Sequence, residues 1–283
     1  MIFRTLAVLL ATLAFIPDED PFSSASASGA LIVAGGGSLP AELRPRALEM
    51  AGGTDAEILI VPWASARENA GSATQEAWQQ SGATQVSVIS EDASQARNAI
   101  EQADLIWLVG GDQSRLMDAF RERDLIEVIQ KSHSTGTIIA GTSAGAAVMS
   151  RQMLTGNAQL EALIAGSTEL VEGLGLWKGV LVDQHFLARR RWSRLFAAVA
   201  SQPDQIGVGI DEQTAVIVDP DGSWQVIGRG PVVVIDGRKS QSLPQEKGAM
   251  LQMRDLQVHL IGSDQSWNPG SSAAKEPDDE RRR

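Results

Sequence analysis

The stretch with the clearest chemical potential is Gly141-Thr142-Ser143-Ala144-Gly145, preceded by the apolar run 137–140 and followed by the small, Met-containing segment 146–149. A buried strand running through Gly-x-Ser-x-Gly into a helix is the context of a nucleophile elbow. Glycine suits positions 141 and 145 because the turn is too tight for larger side chains. Ser143 is then held at the tip, and the Ala144 N–H, at the start of the next helix, can face a developing oxyanion. The chain has no cysteine. That removes disulfides, thiolate metal sites and a Cys nucleophile together, and leaves Ser143 as the natural candidate.

A hydroxyl nucleophile needs a base. The chain offers three histidines, His133, His185 and His259. His133 sits in Lys131-Ser-His-Ser-Thr-Gly136, a helix C-terminus where a cation is simply favourable. His259 alternates within Gln257-Val-His-Leu260 of a late strand, on an outward face. His185 follows a short strand, Val180-Leu-Val182, inside the polar cluster Asp183-Gln184-His185-Phe186, and is the candidate base. An orienting acid is expected at another strand end. Asp211-Glu212 lies at a bend between the apolar runs 206–210 and 214–218, where a carboxylate can hold the useful imidazole tautomer. The order Ser, His, acid differs from the Ser, acid, His order of α/β-hydrolases. No His-x-x-x-His or Cys pair is present, so no metal site is expected.

The last constellation is Arg189-Arg190-Arg191-Trp192-Ser193-Arg194. Residues 190 and 194, and 191 and 194, are neighbours on a helix, so anions must relieve their repulsion. The planar guanidinium fork suits a carboxylate, either a ligand's or one of the chain's own surplus acids.

The elements that would position these groups alternate regularly. Apolar strands are expected at 31–34, 57–61, 85–89 and 104–109, with amphipathic helices between them, before the elbow strand. Near-continuous apolar strands separated by helices imply a parallel sheet covered on both faces, with ligands at the strand C-terminal edge. Gly35, Gly110 and Gly141 all follow strand ends, so their loops should meet around Ser143. Gly35 and Gly37 begin a dinucleotide fingerprint, but Pro40 stands at its third glycine, so that reading fails. Residues 180–235 carry short strands separated by turns such as Asp219-Pro-Asp-Gly222, and are expected to extend the sheet in antiparallel fashion.

Residues 1–27 resemble a signal peptide, with an apolar core from Leu6 to Ile16 and Ala25-Ser26-Ala27 as a small-x-small cleavage site; export follows from it. Residues 28–265 form one catalytic domain, and 266–283 a disordered tail. The 283 residues are 43% hydrophobic and 21% charged, which is ordinary for a globular protein. Their net charge of −11 argues against nucleic-acid or anionic-membrane partners.

Taken together, Gly110-Gly-Asp-Gln113, Gly141-Thr-Ser-Ala-Gly-Ala146, Asp183-Gln-His-Phe186 with the arginines behind it, and Gly207-x-Gly-Ile-Asp-Glu-x-Thr-Ala215 resemble the cyanophycinases, serine peptidases grouped with the aspartyl dipeptidases. The similarity runs from about Leu31 to Ile235. It implies a three-layer α/β/α sandwich with a mostly parallel central sheet, like class I glutamine amidotransferases, in a homodimer without cofactor. It further implies Ser143 as nucleophile, His185 as base and Glu212 as its orienting acid, with Gly111 and Ala144 forming the oxyanion hole. Gln113, Asp183, Gln184, Arg189, Arg191 and Arg194 would line the substrate pocket, with Arg190 at a variable position. The implied substrate is cyanophycin, cut exolytically to β-aspartyl-arginine. The alternatives are an aspartyl dipeptidase acting on short α-linked peptides and a non-catalytic binder of acidic peptides.

Overall fold

The computed structural model describes residues 28–156, 163–242, 246–263 and 265–269. The expected signal peptide and residues 270–283 of the expected tail lie outside the described residues.

The first half alternates as its sequence pattern demands: β1 (Leu31–Ala34), α1 (Leu43–Met50), β2 (Glu57–Val61), α2 (Ala70–Gln80), β3 (Gln85–Val88), α3 (Ala93–Gln102), β4 (Leu105–Leu108), α4 (Gln113–Glu122), α5 (Ile126–Ser134), β5 (Ile138–Thr142) and the single turn α6 (Ala144–Ala147). The second half is mostly strand: β6 (Gln152–Leu154), β7 (Leu170–Glu172), β8 (Val180–Gln184), then α7 (Trp192–Ser201), β9 (Ile206–Ile210), β10 (Thr214–Val218), β11 (Trp224–Gly228), β12 (Val232–Asp236), β13 (Gln241–Ser242), β14 (Met253–Arg254), β15 (Gln257–Ile261) and β16 (Ser266–Trp267).

The main sheet has the order β16-β11-β10-β1-β5-β4-β2-β3. The pairs β1–β5, β5–β4, β4–β2 and β2–β3 are parallel, while β10, β11 and β16 join antiparallel. Successive residues of β1, β2 and β4 are buried on opposite faces: Leu31, Val33, Leu59 and Val61 on one, Ile32, Ala34, Ile58 and Ile60 on the other. Each Val, Leu or Ile side chain among them contributes about 1.5–3 kcal/mol relative to exposure. Helices α1 and α2 cover one face through Leu43, Ala47 and Trp78, and Trp78 meets Trp107 edge-on at 5.5 Å. Helices α3 to α5 cover the other through Ile100, Phe120 and Ile129.

The late strands divide, where a single extension of the sheet was expected. β10 and β11 join the main sheet, while β8, β9, β12 and β15 form a second four-stranded sheet in the order β15-β12-β9-β8. One face of this sheet (Val180, Val182, Val208, Val234) packs into the first core, and the other (Leu181, Val233, Ile235) is covered by Leu195, Ala198 and Val199 of α7. Strands buried on both faces read as continuous apolar runs, so their sequence does not say which sheet they enter. Ser266 and Trp267, expected in the tail, are part of the sheet. They pair with β11, and Trp267 packs edge-on against Trp224 at 4.8 Å. Partial burial of that indole holds the segment to the sheet edge. No described helix is long and apolar enough to cross a membrane.

Candidate active site

Ser143 leaves β5 with φ 54° and ψ −109°, a region that costs a non-glycine residue about 1–3 kcal/mol. The turn is held by the Ser143 N–H donating to Ala34 O at 3.0 Å, and by Ala146 and Ala147 N–H donating to Ser143 O at 3.1 and 3.0 Å. A Cβ on Gly145 would stand 2.2 Å from Leu108 O, and one on Gly141 2.5 Å from Gly145 O. The two glycines are therefore required by close backbone approach, whatever chemistry the serine does.

His185 follows the last residue of β8 and also has positive φ, 50°. Its N–H donates to Gly35 O at 2.8 Å. The imidazole bridges the two remaining partners: Nε2 lies 2.9 Å from Ser143 Oγ and Nδ1 2.6 Å from Glu212 Oε1. A carboxylate only accepts, so Nδ1–H donates to Glu212 and Nε2 is left to accept the serine O–H. Burial pushes the His185 pKa below its ordinary 6.5; the Glu212 hydrogen bond opposes this, and the Arg189 and Arg191 charges reinforce it. The ring is thus neutral at pH 7, the state a general base requires.

The bend after β9 separates the two carboxylates left open by sequence. Glu212 takes the imidazole, whereas Asp211 Oδ1 accepts the N–H groups of Leu187 and Ala188 at 3.1 and 2.9 Å. Asp211 thereby fixes the loop leaving His185. Among the motif residues ahead of α4, Asp112 is the N-cap, accepting from Ser114 and Arg115 N–H. Gly111 lies in a cavity wall with Ser143, and Ala144 opens α6, where the first N–H groups have no intrahelical acceptor. His133 occupies the last turn of α5. The His259 ring packs near Trp267, with centroids 5.4 Å apart.

The residues expected at the substrate fall into two groups. Arg189 lines a cavity of about 610 Å³ beside Ser143. Gln113, Asp183, Gln184, Arg191 and Arg194 do not line it and are buried. Arg194 forks onto Asp183, Nε to Oδ2 at 2.8 Å and Nη2 to Oδ1, while its Nη1 reaches Thr155 O at 3.2 Å. Arg191 Nη1 donates to Gln184 O at 2.7 Å and Gln184 Oε1 at 2.8 Å, and lies 3.4 Å from Asp183 Oδ1. Gln113 Nε2 donates to Leu154 O at 2.9 Å. The anion that relieves the arginine repulsion is therefore Asp183, a residue of the chain itself. Burial first, and then the charge of Arg194, lowers the Arg191 pKa to about 10, which leaves it a cation at neutral pH. Because Gln184 O precedes His185, this network holds the strand end that presents the imidazole.

Sequence reasoning missed Gly36 and Gly37. A Cβ on Gly36, at φ 115°, would lie 2.3 Å from His185 Cε1, and one on Gly37 2.9 Å from Glu212 Oε2. The β1 loop is a seat for the imidazole and carboxylate, not a phosphate cradle. The available signal was a third consecutive glycine where a dinucleotide fingerprint would tolerate a side chain.

A mostly parallel α/β sheet presenting an elbow serine to a histidine–carboxylate pair has the architecture of serine-type hydrolases. The profile of Peptidase family S51 matches residues 31–226; the chain belongs to that family and is a serine-type peptidase. A cyanophycinase of Geminocystis herdmanii is 33% identical over 238 residues, covering 80% of this chain and 88% of the relative. A cyanophycinase of Trichormus variabilis is 38% identical over 195 residues, 66% of this chain and 65% of the relative. The crystal structure of a peptidase from an acI-B1 Actinobacterium superposes with a TM-score of 0.63 at 25% identity, over 87% of this chain and 99% of that one.

Proposed function

We propose that this peptidase hydrolyses cyanophycin, multi-L-arginyl-poly-L-aspartate, exolytically to β-aspartyl-arginine. The observation that carries the chemistry is the continuous Ser143–His185–Glu212 relay, with contacts of 2.9 and 2.6 Å. The relatives named cyanophycinase support the choice of substrate. His185 takes the Ser143 proton as Oγ attacks a backbone carbonyl, while the Gly111 and Ala144 N–H groups meet the oxyanion. His185 then protonates the leaving amine, and the acyl-enzyme is hydrolysed by water that His185 deprotonates. Glu212 keeps Nδ1 protonated and stabilises the imidazolium. In this reading Arg189 meets substrate, while Gln113, Asp183, Gln184, Arg191 and Arg194 secure the elements around His185. No cofactor enters the scheme.

Product analysis after digestion of insoluble cyanophycin tests the reading, with α-linked Asp-X dipeptides offered in parallel. β-Aspartyl-arginine is the expected product; release from the dipeptides alone identifies an aspartyl dipeptidase instead. Ser143→Ala should lower kcat by about 10⁴-fold or more and abolish labelling by a fluorophosphonate probe. A wild-type chain that takes up no label at Ser143 would leave the binder reading. Export and a homodimer complete the proposal. N-terminal sequencing of secreted material should find Ser28 at or near the new terminus, and sedimentation should give twice the chain mass.

A further inference from the structure

The cavity beside Ser143 draws its wall from the loops after β1, β2, β4 and β5, from α1 and α2 and from the segment after β8, and three of its lining residues are Arg44, Arg67 and Arg189. No Asp or Glu is among those lining residues, in a chain whose net charge is −11. None of the three arginines forms an ion pair among the described residues, whereas Arg191 and Arg194 both do. Arg44 sits in the first turn of α1, and its Nε is buried without a hydrogen-bond partner. Arg191 Nε is unmatched in the same way, so what sets Arg44 apart is its place in a cavity wall without an acid beside it. Burial also lowers the Arg44 pKa, as expected of a cation with no anion beside it.

In cyanophycin each arginine is joined through its α-amine to a backbone β-carboxyl group. Its own α-carboxylate is therefore free, at the end of a short arm from the chain being cut. We infer that Arg44 and Arg67, with Arg189, form a subsite that binds this arginyl α-carboxylate next to the scissile carbonyl. The inference rests on the cyanophycin reading for the identity of the arm. The cavity volume, about 610 Å³, is within the usual range for small-ligand sites. Two or three guanidiniums on one carboxylate supply charge-assisted hydrogen bonds, and a bidentate fork fixes the arm's orientation. The same cluster repels the arginyl guanidinium, which must point out of this cavity. Specificity for arginine over a plain amine at the side group would thus be read at the carboxylate.

The test uses the inert Ser143→Ala chain and two synthetic ligands. One is a short β-arginyl polyaspartate; the other carries agmatine, arginine without its carboxylate, at every side group. Calorimetry should show the carboxylate-bearing ligand binding about 10- to 100-fold more tightly. Adding Arg44→Gln or Arg67→Gln should shrink that ratio towards one, and Arg44→Lys should restore part of it. Equal affinity for the two ligands overturns the subsite, as does an undiminished ratio in both glutamine variants. Thermal melts of each variant separate loss of folding from loss of the charge. Turnover of cyanophycin by the wild-type chain is measured alongside. Failure of turnover with the affinity ratio intact defeats the proposed activity and leaves the carboxylate subsite standing; turnover without the ratio does the reverse.

Discussion

Arg189 and Arg191 are two residues apart and have opposite surroundings. Arg191, with Arg194, is buried against Asp183 and the backbone that presents His185. Arg189 is exposed and shares an acid-free cavity wall with Arg44, Arg67 and Ser143. One set of guanidiniums is paired with an acid of the chain and the other is not. A run of like charges is thus not one functional unit. The turn at Arg190, with φ 51°, separates residues that hold the strand end before His185 from one that faces the cavity.

Removing the anion of the paired set should have the largest effect. Asp183→Asn leaves two buried guanidiniums short of a counter-charge and should destabilise the fold by about 3–5 kcal/mol, read by urea denaturation. A loss near zero would mean that the burial is not maintained in solution. Gly36 belongs to both regions, since it lines the cavity and touches the imidazole. Gly36→Ala should push the ring out of line with Ser143 and lower kcat/KM about 10²-fold, with a smaller change in stability than Asp183→Asn. The smallest effects belong to the open set. Arg189→Gln should alter stability by no more than about 0.5 kcal/mol while changing the pH profile. A base works only when neutral, so activity falls as pH drops through the His185 pKa. That pKa is lowered, so the acid limb of kcat/KM should lie below pH 6.5 in the wild-type chain. Removing the Arg189 charge, one of the causes of the lowering, should move the limb to higher pH. A limb that stays put in Arg189→Gln would show that this guanidinium is screened from the ring.

Much of this is legible in the sequence alone. Near-continuous apolar runs mark the strands, and two glycines spaced around one serine mark the elbow. His185 stands out because an apolar strand ends in a polar cluster. Other features are not legible, for identifiable reasons. β8 and β9 are apolar on both faces, like the strands of the main sheet, so nothing local announces that they leave it. Arg44 resembles any surface arginine beside a proline, and its orphaned Nε exists only once α1 packs. The fate of Arg191 and Arg194 depends on Asp183, a partner whose side-chain direction is set by β8. For Trp267, polar neighbours hid an indole that closes the sheet edge.

The split into two sheets has a mechanical consequence. Ser143 hangs from the main sheet and His185 from the second, and Glu212 sits in the connection from β9 to β10 that passes between them. The 2.9 Å contact is consequently a gauge of how the two sheets are seated on one another. If that contact does the proposed chemistry, a slip of about one ångström at their apolar interface should lower turnover about 10²-fold while every strand is still intact, so turnover should be an earlier alarm for loosening of this molecule than its circular dichroism.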